Sequence, residues 1–356
     1  MTKKITVFLA LALTLALLAG CAGTPVIYYT NCTCPVGSHT PEVTPTQPVL
    51  TEGALKTGLY IGASIGDGKS ATTEEPGEAA YDVTIVAVTV DDKGIIHDCI
   101  IDSIKASVAF DATGAVTSDL TAEVLTKNEL GEAYGMKAYG NAKYEWNEQA
   151  AALATYAKGK TVAQLKDGAV NEDGKAKDAD LASVATIKIG GYVDAIEAAV
   201  ANAQHLGAQS GDTLKLAVIS GIGSSVSATT EKAGTAQLDS DVVALTEKDG
   251  IITSCYIDAL QAKVSFDATG TITTDLTAAP QTKNELGEGY GMKAWGSAKF
   301  EWNEQAANFA KYVTGKTADQ VANIAITEGK PSGADLASTV TIKIGGFQAL
   351  IAKAMQ

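Results

Sequence analysis

The chain has 356 residues, 46% of them hydrophobic, enough for one large domain or two ordinary ones with a true core. Its formal net charge of −14 argues against a basic face for nucleic acid or acidic lipid headgroups. Of three histidines, His39 and His205 fall near expected linkers and His97 is replaced by Thr253 in an internal repeat, so no His-centred catalytic or metal constellation occurs twice.

Lys3 and Lys4 precede an apolar run from Ile5 to Leu18, too short to span a membrane and suited to the core of a signal peptide. The run ends Leu18-Ala19-Gly20-Cys21, which resembles the bacterial lipobox. That resemblance implies cleavage after residue 20, a diacylglycerol on Cys21, and anchoring on the outer face of the cell membrane without spanning it. Residues 21–57 read as a disordered tether, because Pro25, Pro35, Pro41, Pro45 and Pro48 keep it extended and it has little to bury. Cys32 and Cys34 stand there as Cys-Thr-Cys. The spacing is wrong for a zinc pair and no second pair follows, so an intermolecular or strained disulfide, or no role, is the better expectation.

The remainder is a tandem repeat. Thr126-Lys-Asn-Glu-Leu-Gly-Glu-Ala-Tyr-Gly-Met136 returns as Thr282-Lys-Asn-Glu-Leu-Gly-Glu-Gly-Tyr-Gly-Met292, and Glu145-Trp-Asn-Glu-Gln-Ala150 as Glu301-Trp-Asn-Glu-Gln-Ala306. So long a period indicates duplicated domains, over 58–205 and 206–356, joined near Gln204–Gly211.

In chain order, Tyr81–Val90 and Ile95–Ile101 flank the turn Asp91-Asp-Lys-Gly94 as a hairpin. A second turn follows at Asp111-Ala-Thr-Gly114, repeated from Asp267 to Gly270. Trp146, Ala150, Leu153 and Ala157 recur at helical spacing, with Gly159 placed to end the helix in the left-handed region. Thr161 with Gln164, and Thr317 with Gln320, predict capping boxes for a short helix. A last helix is expected to begin near Tyr192. Strands followed by helices predict an α+β class: two tandem homologous domains, each an antiparallel sheet with packed helices. Cys99 and Cys255 occupy equivalent strand positions and read as small core residues.

Before that last helix stands an elbow, Asp180-Leu-Ala-Ser183-Val-Ala-Thr186-Ile-Lys188-Ile-Gly-Gly191, with its twin from Asp335 through Ser338, Thr341 and Lys343 to Gly346. The pattern resembles that of FMN-binding domains: Asp, two residues, Ser or Thr, Gly, Ala, then a Thr or Ser to which a flavin transferase joins FMN through its phosphate. Asp180, Ser183, Ala185 and Thr186 match, while Val184 replaces the usual Gly; the second copy matches at Asp335, Ser338 and Thr341, with Thr339 and Val340 between. The whole unit is similar to surface lipoproteins with two FMN-binding domains, which serve flavin-based extracellular electron transfer in Gram-positive bacteria. The resemblance implies up to two covalent FMN groups, a flavin transferase, a membrane reductase as electron donor, and ferric iron or soluble flavin as acceptor. It makes the chain an electron-transfer flavoprotein rather than a stand-alone enzyme.

Other features gain meaning beside it. If Thr186–Ile189 is extended, Lys188 shares a face with Thr186, and Lys343 with Thr341, so each brings a cation toward the flavin or snorkels at a strand edge. Tyr134, Met136, Tyr290 and Met292 follow glycine-rich bends and pack either on the isoalloxazine or in the core. The competing reading is a duplicated, non-redox surface module for binding or adhesion. Cys21→Ser is expected to release the protein into the medium or leave it unprocessed; cell fractionation showing normal maturation and membrane retention would sink the lipoprotein reading.

Overall fold

A computed structural model describes residues 53–356. The expected signal peptide, Cys21, Cys32, Cys34 and the tether up to residue 52 lie outside the described residues. In the first repeat, β1 (Lys56–Ser64), β2 (Gly77–Val90) and β3 (Ile96–Phe110) form an antiparallel sheet in the order β1-β2-β3. Strand β1 thus begins two residues inside the segment expected as tether. The first hairpin closes as expected: one carboxylate oxygen of Asp91 accepts the N–H groups of Lys93 and Ile95, both at 2.9 Å. Six helices follow: α1 (Lys127–Leu130), α2 (Met136–Gly140), α3 (Trp146–Ala157), α4 (Val162–Ala169), α5 (Ala179–Val184) and α6 (Gly190–Ala201).

The second repeat has β4 (Thr213–Gly221), β5 (Gly234–Lys248) and β6 (Ile251–Phe266) in the same antiparallel order. Its hairpin is tighter. Asp249 and Gly250 both have positive φ, 54° and 77°, the backbone of a two-residue type I′ turn. Then come α7 (Lys283–Leu286), α8 (Met292–Gly296), α9 (Trp302–Val313), α10 (Ala318–Ala322), the short hairpin β7 (Ile326–Thr327) and β8 (Lys330–Pro331), α11 (Ala334–Ala337) and α12 (Gly345–Ala354). The reciprocal Thr161/Gln164 and Thr317/Gln320 caps both form. The class is α+β with antiparallel sheets and packed helices.

Toward its hairpin, from Ile85 to Val90, the central strand β2 is buried on both faces, while Glu78, Ala80, Asp82 and Thr84 before it are half-buried. Along β2, Val83, Ile85 and Ala87 point to one side and Val86 and Val88 to the other, and all are buried. Val86 and Val88 meet Trp146, Leu153, Leu165 and Ile196 from the repeat's own helices. Val83, Ile85 and Ala87 instead join Leu238, Val242 and Ala244 of β5. The two sheets therefore pack on each other, with helices outside, in four layers. Phe110 and Phe266 stack at the shared core, centroids 4.1 Å apart and planes within 2°. Cys99 and Cys255 are buried free thiols in the two outer cores, as expected.

Reciprocal contacts tie the repeats together. Ala71 N–H donates to the Gly270 carbonyl at 2.8 Å and Ala228 N–H to the Gly114 carbonyl at 2.7 Å. Ser70 Oγ accepts from Ile272 N–H and Ser227 Oγ from Val116 N–H, both at 2.9 Å. The entering chain is laced to the linker between the repeats: Leu55 N–H to Ala208 O and Thr57 N–H to Gln204 O, both 2.9 Å, and Ser210 N–H to Gly53 O at 2.8 Å. Both repeats belong to one compact unit.

A repeat expressed alone would present the inner face of its sheet to water. Each buried Val, Ile or Phe there is worth about 1.5–3 kcal/mol, so a half chain covering 53–205 is expected to pair with a second copy of itself. Sedimentation should find a dimer; a stably folded monomer at micromolar concentration would contradict the shared core.

Candidate functional site

Three repeated phrases of the sequence converge around the start of α3. The Glu145 carboxylate, 2% exposed, accepts the N–H groups of Met136 at 2.8 Å and Lys137 at 2.9 Å, fixing α2 against α3. Glu148 closes a capping box on the Glu145 N–H at 2.7 Å. One turn further, Gln149 is fully buried. Its amide nitrogen donates to the Tyr144 carbonyl at 3.0 Å and lies 3.9 Å from Met136 Sδ. Its Oε1 receives three donors from the elbow: Thr186 N–H at 2.8 Å, Ile187 N–H at 3.1 Å and the Thr186 hydroxyl at 3.1 Å.

The second repeat reproduces this constellation. Glu301 accepts from Met292 and Lys293 at 2.8 and 2.9 Å. Gln305 donates to Phe300 O at 3.0 Å and accepts from Thr341 N–H, Ile342 N–H and the Thr341 hydroxyl at 2.8, 3.2 and 3.1 Å. Sequence reading missed both glutamines. The available signal was a polar residue repeated on the helix face that buries Ala150 and Leu153.

The expected extended run at Thr186–Ile189 is not a strand: the chain bends at Ile187, and the N–H groups of Thr186 and Ile187 go to Gln149 instead of a neighbouring strand. Ile189 anchors the far end, buried, with its N–H on Gly174 O at 2.7 Å; Ile344 does so on Gly329 O at 2.9 Å. Without a ladder, alternation gives no common face for Thr186 and Lys188. Lys188 and Lys343 are exposed and form no ion pair among the described residues.

The remaining elbow residues have local duties. Ser183 Oγ donates to the Asp180 carbonyl at 2.7 Å and Ser338 Oγ to the Asp335 carbonyl at 2.8 Å, so neither hydroxyl is bonded to its threonine. Asp180 and Asp335 are exposed in the first turns of α5 and α11. Asp178 caps α5, accepting from Asp180 and Leu181 N–H at 3.0 Å, whereas Gly333 leaves α11 without a side-chain cap. Tyr134 and Met136, like Tyr290 and Met292, are half-buried against the outer cores. Tyr290 Oη donates to Gln261 at 3.0 Å.

What remains at the surface is the threonine. Thr186 and Thr341 are exposed, and each elbow runs straight into a helix whose first turn has no side-chain cap and begins Gly-Gly. A helix N-terminus favours a nearby phosphate by about 0.3–1 kcal/mol, although in the first repeat the Gly190 N–H already donates to Gly174 O at 3.1 Å. The two copies differ here. A Cβ at Gly191 would meet nothing within 4 Å, whereas one at Gly346 would come 3.6 Å from Asp241 Oδ2. Strand register pairs Asp241 with Ile219 and Thr84 with Gly62, so the first repeat has a neutral threonine where the second has this acid. Burial pushes the Asp241 carboxyl above its ordinary range, against the pull of Lys283. In both repeats a buried acceptor stands unpaired among the described residues, Oδ1 of Asn147 and of Asn303. Such an orphan costs about 1–3 kcal/mol until a donor reaches it. The residues of the first site thus fit a phosphate ester better than those of the second.

A second repeated cluster lies beside α1. The Lys127 ammonium sits 5.0 Å from the Tyr134 ring centroid and 5.1 Å from that of Trp146; Lys283 repeats this over Tyr290 and Trp302 at 5.1 and 4.9 Å. Nearby, Asp102 is 6% exposed and accepts from Ser103 and Asn128 N–H at 2.8 and 3.1 Å. Burial raises its pKa from 3.8 to about 6, and that of its twin Asp258 likewise, although hydrogen bonds from Thr126 and Thr282 pull the other way. Among the described residues no group of His, Cys, Asp and Glu could hold a metal, and no helix is long and apolar enough to cross a membrane.

The raised pKa fixes a sign. The folded state binds these protons more tightly than the unfolded chain, so their contribution to stability is greatest below about pH 4, declines as pH rises to about 6, and is constant above. Asp102→Asn with Asp258→Asn keeps the acceptor oxygens and should remove that decline. Urea midpoints of variant and parent should diverge in the variant's favour between pH 4 and 7; parallel pH profiles would refute the assignment.

No family model, no curated protein and no solved structure matches the chain.

Proposed function

We propose that this chain is a lipid-anchored electron carrier on the outer face of the cell membrane, with FMN joined through phosphoester bonds to Thr186 and, less completely, to Thr341. The observation that carries the reading is the threonine itself: exposed, on a fixed elbow, ahead of an uncapped helix, in both repeats. A bound flavin supplies the redox chemistry, accepting electrons from a membrane reductase and yielding them to ferric iron or soluble flavin. The protein's residues supply place and orientation.

Gln149 fits this task. A carbonyl oxygen has two lone pairs but here meets three donors, and the Thr186 hydroxyl is not the shortest. Esterifying that hydroxyl removes one donor and leaves two backbone N–H bonds, so Gln149 is not orphaned and the elbow keeps its shape. Threonine is a weak nucleophile, and no His or carboxylate is bonded to Thr186 among the described residues. A transferase must therefore take the hydroxyl proton as the oxygen–phosphorus bond forms and the bond to the leaving group of an activated FMN breaks. Ser183 and Ser338, bonded to backbone carbonyls, shape α5 and α11 rather than acting on the threonine.

Intact mass after maturation with a flavin transferase should exceed the apo mass by one or two FMN phosphoester increments, mapped to Thr186 first. Thr186→Ala should remove the major increment with the fold retained, and adding Thr341→Ala should abolish covalent flavin and ferric iron reduction. Asp241→Thr, restoring the residue of the first repeat, should raise occupancy at Thr341. Full flavin content in the double threonine variant would refute the sites. A colourless wild type despite an active transferase would favour the non-redox surface module.

A further inference from the structure

The most exposed large apolar side chains among the described residues are Tyr139, 91% exposed, and Trp295, 89% exposed. They occupy the same place in the two repeats, on α2 and α8. Single exposed apolar residues are ordinary, but these two stand on a pedestal built with unusual care. Glu145 and Glu301, buried, each accept two N–H groups at the start of the short helix. Lys137 bridges Glu132 and Glu148 at 3.2 and 3.5 Å, and Lys293 bridges Glu288 and Glu304 at 3.1 and 3.4 Å. The ring edge lies against a glycine of positive φ: a Cβ on Gly135 would come 2.6 Å from Tyr139, and one on Gly291 2.3 Å from Trp295. A side chain there would push the ring away, so only a glycine leaves the ring this place.

The exchange of Tyr for Trp keeps a flat aromatic face and discards the phenol, so the shared property is the face. Its neighbourhood points to one occupant. Gln149 reaches both the Thr186 hydroxyl, at 3.1 Å, and Met136 Sδ, at 3.9 Å. Tyr139 stands one turn of α2 beyond Met136, its N–H on Gly135 O at 2.9 Å. The Gln149 side chain thus joins the Thr186 elbow to α2, the helix that carries Tyr139. We propose that Tyr139 and Trp295 are the surfaces on which the isoalloxazine rings of flavins joined to Thr186 and Thr341 stack, an inference that rests on the attachment reading. Tyr134 and Tyr290, already engaged with lysines and the outer cores, leave this role to the exposed pair. Stacking is sequence-tolerant between Tyr and Trp and gains from partial desolvation of both faces.

The test uses full-length protein matured with the transferase. Thr341→Ala isolates the first flavin and Thr186→Ala the second, each load being verified by intact mass. An aromatic residue stacked on an excited flavin quenches it by electron transfer, so emission should lie well below that of the same flavin released as a peptide. Tyr139→Ala in the first background and Trp295→Ala in the second should raise emission several-fold at unchanged flavin mass and far-UV circular dichroism, and Tyr139→Trp should keep it quenched. Unchanged emission in both alanine variants, or peptide-level emission before any ring is removed, overturns the stacking and leaves the attachment standing. Absence of flavin mass from the parent overturns both.

Discussion

A three-stranded sheet that is apolar on both faces cannot stay in water, and one set of helices covers only one face. That constraint organises this molecule. The first repeat spends α3, α6 and their neighbours on the outer face of its sheet, around Trp146, and the second spends α9 and α12 likewise around Trp302, so neither has helices left for the inner face. The other repeat supplies the missing layer, and Phe110 meets Phe266 where the two sheets join. Duplication here completes a core. It also leaves both elbows in the outer helical layers, on opposite sides of the paired sheets, each with its threonine exposed.

Within a repeat the decisive contact is a single amide. Gln149 is buried among apolar neighbours, where an unpaired amide would cost several kilocalories per mole. Its nitrogen has the Tyr144 carbonyl and Met136 Sδ, but among the described residues its oxygen is bonded by the elbow alone, so the elbow cannot leave without orphaning that oxygen. The bend at Ile187 is therefore as well determined as a strand would be, though it belongs to no ladder. Glu145, one turn earlier, imposes the same discipline on α2. A fixed backbone thus underlies both the exposed threonine and the exposed ring.

What the sequence made legible was local. The Thr161 and Thr317 caps, the turn at Asp91, the matched buried cysteines and the helix carrying Trp146 follow from residues within a few positions of one another. The sheet-on-sheet packing was hidden because it gathers residues such as Val83 and Leu238, distant in the chain, into one core. Strand β1 was missed because its partners are distant in sequence: it is fixed by β2 and, at its start, by the linker between the repeats. Thr186-Ile-Lys-Ile189 imitates strand alternation, yet its two isoleucines serve as anchors around a bend, and only Gln149, far away in sequence, decides between the two conformations. The threonine was named from a resemblance; its presentation needed the fold.

The lacing of Gly53–Thr57 to Gln204–Ser210 has a mechanical meaning. A pull arriving along the chain at Gly53 is delivered first to the linker between the repeats and to the edge strand β1, which itself packs across β6 of the other sheet. Load is thereby shared between the halves at the midpoint of the chain. A pull on the leading end therefore meets both halves at once instead of peeling one from the other.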